Sequence, residues 1–344
     1  MEKIKKSMVL LFILMLSLNV NAQKYSSSQD SIKVFYDALF NTLKEGYLYK
    51  DKVNWQTIQT ETFSNLAKYT DFKNSLNEIK LLFSKIGADH CTIIYQGNAY
   101  NILAVYEPAL FSDQWKKKYA TKPDFEVKLI DGKYGYILIP ALKFSDTKPR
   151  NVNKIAQQLY DQIAIFKKKN ETEGWIIDLR FNTGGNSWPM LLALYDFLGD
   201  NKIASTLDVD KKLIKTTSLS KGEYQTDSKK IFQIKPNGKL LDHAKVALIT
   251  GVVTASSGEV VAMAFKGRPN SILIGENSAG FTSANYGVGL PFGTLMTLTK
   301  EYNSDRNGNY YDKLVPDIAV SKQDNFDDLM ADQNIQEAIK FIKL

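Results

Sequence analysis

Apolar residues along this chain fall into a few patterns, and each predicts an element. From Asp30 onward, Ile32, Phe35, Tyr36, Leu39, Phe40 and Leu43 recur at spacings of three and four. That spacing is one apolar face of a helix. Two more stretches of the same period cover residues 57–69 and 72–86, and Gly87 closes the second. A β-like run follows at residues 92–95. Val127 and Leu129, then Asp131-Gly132, then residues 134–139 predict a hairpin. Short continuous apolar runs at residues 175–179, 246–250 and 271–274 predict buried strands. Helical stretches at 151–168, at 187–198 and from about Ser256 stand between them. Buried strands alternating with helices argue for a parallel or mixed sheet with helical crossovers. Towards the end, residues 294–299 alternate like a strand, Asn307-Gly308 predicts a turn, and 325–342 predict a closing helix.

The first 22 residues stand apart from this pattern. Lys3, Lys5 and Lys6 precede a short apolar run at residues 8–18, and Val20-Asn21-Ala22 offers a cleavage point before Gln23. This is the layout of a secretory leader; the alternative is an uncleaved N-terminal anchor. The run is shorter than the roughly 20 residues a membrane span needs. The single cysteine, Cys91, is far from the cleavage point, so no lipoprotein cysteine stands there and no internal disulfide can form. We therefore expect a periplasmic or secreted protein with no stable membrane insertion after cleavage.

Composition narrows the class. The chain has 344 residues, 24% of them charged, and a formal net charge of +7. Disorder, collagen and a disulfide scaffold are excluded. The basic excess is spread along the chain and no recognition motif accompanies it, so nucleic acid is not expected as a partner. Two histidines and one cysteine do not build a common zinc site, and no metal or cofactor is implied.

Candidate chemistry concentrates in three segments. Thr254-Ala255-Ser256-Ser257-Gly258-Glu259 lies between a buried strand and a helix. A serine there meets the free N–H groups and positive dipole end of the helix, which favour a developing oxyanion. Ser256 and Glu259 equally read as a capping box. Asp178-Leu179-Arg180-Phe181-Asn182-Thr183-Gly184-Gly185 also ends a buried strand, and its glycines either line an oxyanion hole or make a plain turn. Arg180 either pairs with a core carboxylate, the preferred reading, or meets a substrate carboxylate. His90 is the candidate general base, whereas His243 reads as a surface residue.

The order Asp-Leu-Arg-x-Asn-x-Gly-Gly, Thr-Ala-Ser-Ser-Gly-Glu, Ile274-Gly275-Glu276-Asn277-Ser278-Ala279-Gly280 and Val315-Pro316-Asp317-Ile318 resembles the tail-specific (C-terminal processing) serine peptidases. Similar motifs occur in relatives of the tricorn core protease and the interphotoreceptor retinoid-binding protein. The resemblance covers about residues 134–320. It implies an α/β, ClpP/crotonase-like catalytic core with a helical N-terminal subdomain, and hydrolysis of peptide or protein substrates through an acyl-enzyme. It places the nucleophile on Ser256 and the oxyanion donors on the N–H of Ser257 and of Gly184 or Gly185. One departure stands out: Phe281 occupies the position where the tail-specific branch carries its lysine base. The tricorn-like branch uses an earlier histidine, which His90 matches in type and order, with a carboxylate from the C-terminal segment, here Asp305 or Asp312, Asp305 being preferred. A non-catalytic binder of apolar ligands or peptides on the same fold is the alternative reading, and a hydrolase of small esters or amides is a third.

The expected layout is a leader at residues 1–22, a helical subdomain with its connecting segment at 23–124 and the catalytic domain at 125–344. The segment 98–122 is too short for a peptide-binding PDZ domain, which needs roughly 80–100 residues. Its aromatics, among them Tyr106, Phe111 and Trp115, suggest a lid or groove wall.

Overall fold

The computed structural model describes residues 28–102 and 106–344. The leader read at residues 1–22 lies outside the described residues. The chain divides into two compact units. The first comprises the described residues up to Glu45, with Lys50–Ile102 and Val288–Met296; the second comprises Gly46–Tyr49, the described residues up to Gly287 and Thr297–Leu344.

The first unit is mainly helical. The helix Ser28–Gly46 buries Ile32, Phe35, Tyr36, Leu39, Phe40 and Leu43, the face its periodicity predicts. The helix Trp55–Leu66 follows, capped by the Asn54 side chain. Residues 72–86, expected as one helix, are two: Phe72–Ser75 and Glu78–Ile86. Asp71 caps the first of them by accepting from the Asn74 N–H at 2.9 Å. Gly87, left-handed at φ 67°, ends the second. Strands β1 (Thr92–Tyr95) and β2 (Asn98–Tyr100) pair antiparallel.

The second unit is built on a six-stranded sheet. Its strands are β3 (Glu126–Ile130), β4 (Tyr134–Leu138), β5 (Gly174–Asp178), β10 (Val246–Thr250), β11 (Ser271–Gly275) and β14 (Ile318–Ala319). Their order is β14-β11-β10-β5-β4-β3, parallel except for β3. The β3–β4 hairpin pairs Ile130 with Tyr134 across residues 131–133, with Asp131 (φ 50°) and Gly132 (φ 63°) both left-handed in its turn. Because side chains alternate across a strand, Ile137, Ile177 and Leu248 join one core, with the helices Pro149–Lys169, Ser187–Ala193 and Ser257–Phe265. Tyr136, Ile176 and Ile249 join the other, with the helix Gln333–Lys343 and Trp115. Covering both faces explains why these strands read as continuous apolar runs.

Several elements differ from expectation. The helix expected over 187–198 breaks at Leu194 (φ −90°, ψ 12°), giving Ser187–Ala193 and Tyr195–Leu198. The closing helix starts only at Gln333, because the Asp332 carboxylate accepts from the Asn334 and Ile335 N–H groups and fixes the start there. The antiparallel meander β6 (Lys202–Leu207), β7 (Leu213–Ser220), β8 (Glu223–Thr226) and β9 (Lys229–Gln233) carries no clear apolar signal. In β7 only Thr217 and Leu219 are buried. Strands β12 (Ser283–Leu290) and β13 (Thr294–Ser304) pair with each other, and β13 also pairs with β6. Residues Asp113–Ala120 form a helix whose Trp115 is buried, so that aromatic is core.

Candidate active site

Strands β5 and β10 are neighbours and parallel, so their C-terminal ends emerge side by side. The glycine segment follows β5 and the serine segment follows β10. The tertiary structure therefore joins two motifs that lie some 70 positions apart in sequence. The Ala255 N–H donates to the Asn182 carbonyl at 2.9 Å, and the Thr254 hydroxyl donates to the Leu179 carbonyl at 2.9 Å. A Cβ on Gly258 would meet the Asn182 carbonyl at 2.9 Å, so glycine there lets the two turns close on each other.

Ser256 occupies a backbone conformation that side-chain-bearing residues rarely adopt, φ 51° and ψ −111°. Such a conformation costs about 1–3 kcal/mol and persists only where its surroundings impose it. Those surroundings are visible. The Ser256 N–H donates to Glu259 Oε2 at 2.8 Å, which is the carboxylate half of the capping box. Gly184, at φ 106°, stands against Ser256 from the other side: a Cβ there would lie 3.1 Å from the Ser256 Cβ and 3.7 Å from its Oγ. Ser256 thus begins the helix Ser257–Phe265 and at the same time faces the glycine turn.

The glycine turn is held by a side chain that sequence reasoning did not single out. Asn182 is fully buried, and its Oδ1 accepts the Gly184 N–H at 3.1 Å. An asparagine two residues before a glycine is a recognised local turn signal, so the information was present in the motif. This bond commits the Gly184 N–H. Among the described residues, neither the Gly185 N–H nor the Ser257 N–H donates to another group. Gly185, at φ 120°, would drive a Cβ to 2.1 Å from the Leu142 carbonyl oxygen and tolerates no side chain. The Ser257 hydroxyl is buried and likewise lacks a hydrogen-bond partner among the described residues.

The remaining candidates divide. Arg180 is a core pair. Its guanidinium reaches Asp178 at 2.6 Å, Asp324 at 2.7 Å and Asp332 at 2.7 Å, and lies 4.3 Å from the Phe326 ring centre. Asp305 is buried and accepts from the N–H groups of Asn307 (2.8 Å) and Asn309 (2.9 Å), the Asn309 amide (3.0 Å) and the Tyr311 hydroxyl (2.9 Å). Although burial works the other way, these donors hold its carboxyl below the usual range. Asp312 is exposed. His243 is a surface residue, its side chain 88% exposed. His90 belongs to the first unit, in the turn before β1; burial pushes its imidazole down to about 4, so it is neutral at pH 7. The described residues include no cluster of metal ligands, and none of their helices is long and apolar enough to cross a membrane.

The parallel-sheet core with strand-to-helix turns at its C-terminal edge, following a helical N-terminal part, is a ClpP/crotonase-like α/β fold. Residues 133–320 match the model of peptidase family S41, and the chain belongs to that family of serine-type peptidases. The chain is 27% identical over 277 residues to a nisin-resistance protein from Lactococcus lactis subsp. lactis, covering 80% of this chain and 79% of the relative. In structure it is similar to a lipoprotein from Streptococcus agalactiae (TM-score 0.66, 21% identity, covering 94% and 98% of the two chains). It is also similar to the photosystem II D1 C-terminal processing protease (TM-score 0.51, 12% identity, covering 86% and 95%). At these identities the structural likenesses speak for the fold.

Proposed function

We propose that this protein is an exported serine peptidase that cleaves peptide bonds through an acyl-enzyme on Ser256. The observation that carries the proposal is the strained Ser256 backbone at a helix start, with a glycine turn packed against it. Ser256 Oγ attacks the peptide carbonyl, forming the C–O bond as the carbonyl π electrons move onto oxygen. The oxyanion is held by the N–H groups of Ser257 and of the glycine turn. Because the Gly184 N–H already serves Asn182, Gly185 is the donor we favour from that turn. His90 takes the serine proton and returns it to the leaving amine, and water then releases the acyl group by the same steps. At neutral pH the buried ring is neutral and so has a nitrogen lone pair with which to take that proton.

Asp305 stays in the proposal as the carboxylate whose negative charge favours the imidazolium. Its four bonds within its own turn fill the acceptor positions a carboxylate offers, so a hydrogen bond to His90 would require one of these donors to give way. The name of the nisin-resistance relative suggests nisin as the first peptide to try, and a lipoprotein among the structural neighbours accords with export.

The test is labelling by a fluorophosphonate, read by intact-protein mass. We expect one adduct on Ser256, absent in Ser256→Ala and strongly slowed in His90→Ala. Well-folded wild-type protein that takes no adduct would favour the non-catalytic binder.

A further inference from the structure

The segment Gly275-Glu276-Asn277-Ser278-Ala279-Gly280 resembles the family motif that leads to a lysine base, yet here Phe281 follows it. What the segment does in this chain is visible in its hydrogen bonds. The Ser278 hydroxyl donates to Glu259 Oε1 at 2.5 Å, and the Gly280 N–H donates to the same oxygen at 2.9 Å. The other oxygen, Oε2, accepts the Ser256 N–H. Ser278 is itself fixed from behind, because its Oγ accepts the Leu314 N–H at 2.8 Å while its own N–H donates to the Leu314 carbonyl at 3.0 Å.

We propose that Ser278 is a positioning residue for the nucleophile, acting through the Glu259 carboxylate to hold Ser256 in its strained conformation. The proposal rests on Ser256 being the nucleophile.

A cap alone does not require this chain of bonds. A capping box needs only Ser256 and Glu259, whereas here both members of the Ser278–Leu314 pair lie outside the helix that is capped. Glu259 is fully buried and forms no ion pair among the described residues. Its charge is therefore balanced by hydrogen-bond donors, and Ser278 supplies the shortest of these bonds. Both capacities of the Ser278 hydroxyl are used, one proton given and one accepted, so its orientation is fixed and the carboxylate's with it. Without the hydroxyl, the Leu314 N–H loses its acceptor and the Glu259 carboxylate loses its one side-chain donor, keeping only backbone N–H groups of Ser256, Gly280 and Phe281. The carboxylate is then free to rotate away from the Ser256 N–H, and the strained backbone loses what imposes it.

The experiment compares wild type, Ser278→Ala, Ser278→Thr and a control, Ile163→Val, on the full chain. Ile163 is buried in the Pro149–Lys169 helix, and its truncation tests destabilisation alone. The readouts are the fluorophosphonate labelling rate at a temperature where circular dichroism shows every variant folded, and amide hydrogen exchange of the 254–259 peptide. We expect Ser278→Ala to label at least tenfold more slowly with faster exchange in that peptide. Ser278→Thr, which keeps the hydroxyl, should recover most of the rate, and Ile163→Val should change neither readout. Labelling of Ser278→Ala within twofold of wild type would overturn the proposal, as would equal slowing in Ile163→Val. Failure of the wild type to label would instead overturn the nucleophile assignment; unchanged exchange in Ser278→Ala would then overturn the anchor as well.

Discussion

Gly184 and Ser256 are packed so closely that a Cβ at position 184 would stand 3.1 Å from the Ser256 Cβ. Two segments that share no sequence neighbourhood are thereby matched to within a methyl group. At φ 106°, Gly184 also adopts a backbone conformation that L side chains rarely reach.

Gly184→Ala is accordingly expected to separate activity from folding. The added methyl displaces either the glycine turn or Ser256, and the proposed oxyanion donors move with it. Disturbing one such donor typically costs about 100-fold or more in rate. Labelling of Ser256 in this variant should fall by at least that factor while the far-ultraviolet dichroism stays native. A rate near wild type would show that the contact does not matter to the site.

Ser256 itself should reveal its strain in stability. Ser256→Gly removes the steric cost of φ 51° but adds backbone freedom to the unfolded chain. Relief of about 1–3 kcal/mol against a glycine cost of about 0.5–1 kcal/mol leaves Ser256→Gly more stable than Ser256→Ala by about 1 kcal/mol. Both variants should be inactive. Urea denaturation measures the difference, and equal stability would argue that the serine is not strained.

The pH profile tests His90. Its folded value is about 4, below the ordinary 6.5, so the ring stays neutral and basic until the pH approaches 4. The acid limb of the labelling rate should thus fall with an apparent pKa below 6.5, and His90→Ala should lose that limb. Linkage gives a companion effect. Between pH 6.5 and about 4 the unfolded chain binds a proton the folded chain refuses, so folded stability declines as the pH falls through that window. His90→Ala should show a shallower decline. A limb centred at 6.5 or above in the wild type would contradict the depressed value.

Arg180→Met tests the buried ion network. Asp178 and Asp332 are fully buried beside the guanidinium and Asp324 nearly so. Removing the only cation among them leaves carboxylates with no countercharge, a loss of about 3–5 kcal/mol. Urea unfolding of Arg180→Met measures this, and a loss under about 1 kcal/mol would show that hydrogen bonds alone suffice for those carboxylates.

Much of this protein could be read from the chain. The apolar runs that became β5, β10 and β11 are legible because strands covered on both faces need no polar positions. The helix Ser28–Gly46 is legible because one apolar face recurs every three to four residues. Asp131-Gly132 is legible because two left-handed residues in a row demand such a pair. The motif order was enough to indicate the family, and Ser256 with Glu259 was already visible as a helix start.

Other features depend on neighbours that sequence does not display. The β6–β9 meander is held by ladder hydrogen bonds and by what its few buried residues meet, so its strands show little periodicity. The closing helix begins at Gln333 rather than earlier because Asp332 is committed both to the helix N–H groups and to Arg180, some 150 positions before it. Sequence does not show that the Gly184 N–H is engaged; only the folded turn brings the Asn182 side chain onto it. The sequence already showed Ser256 as a helix start, and the capping box with Glu259 is present in the fold. What only the tertiary structure adds is the left-handed backbone of Ser256 and the approach of Gly184, which the parallel neighbours β5 and β10 bring to one edge of the sheet. Local periodicity records which face of an element is buried, whereas only the folded chain records which atoms meet there.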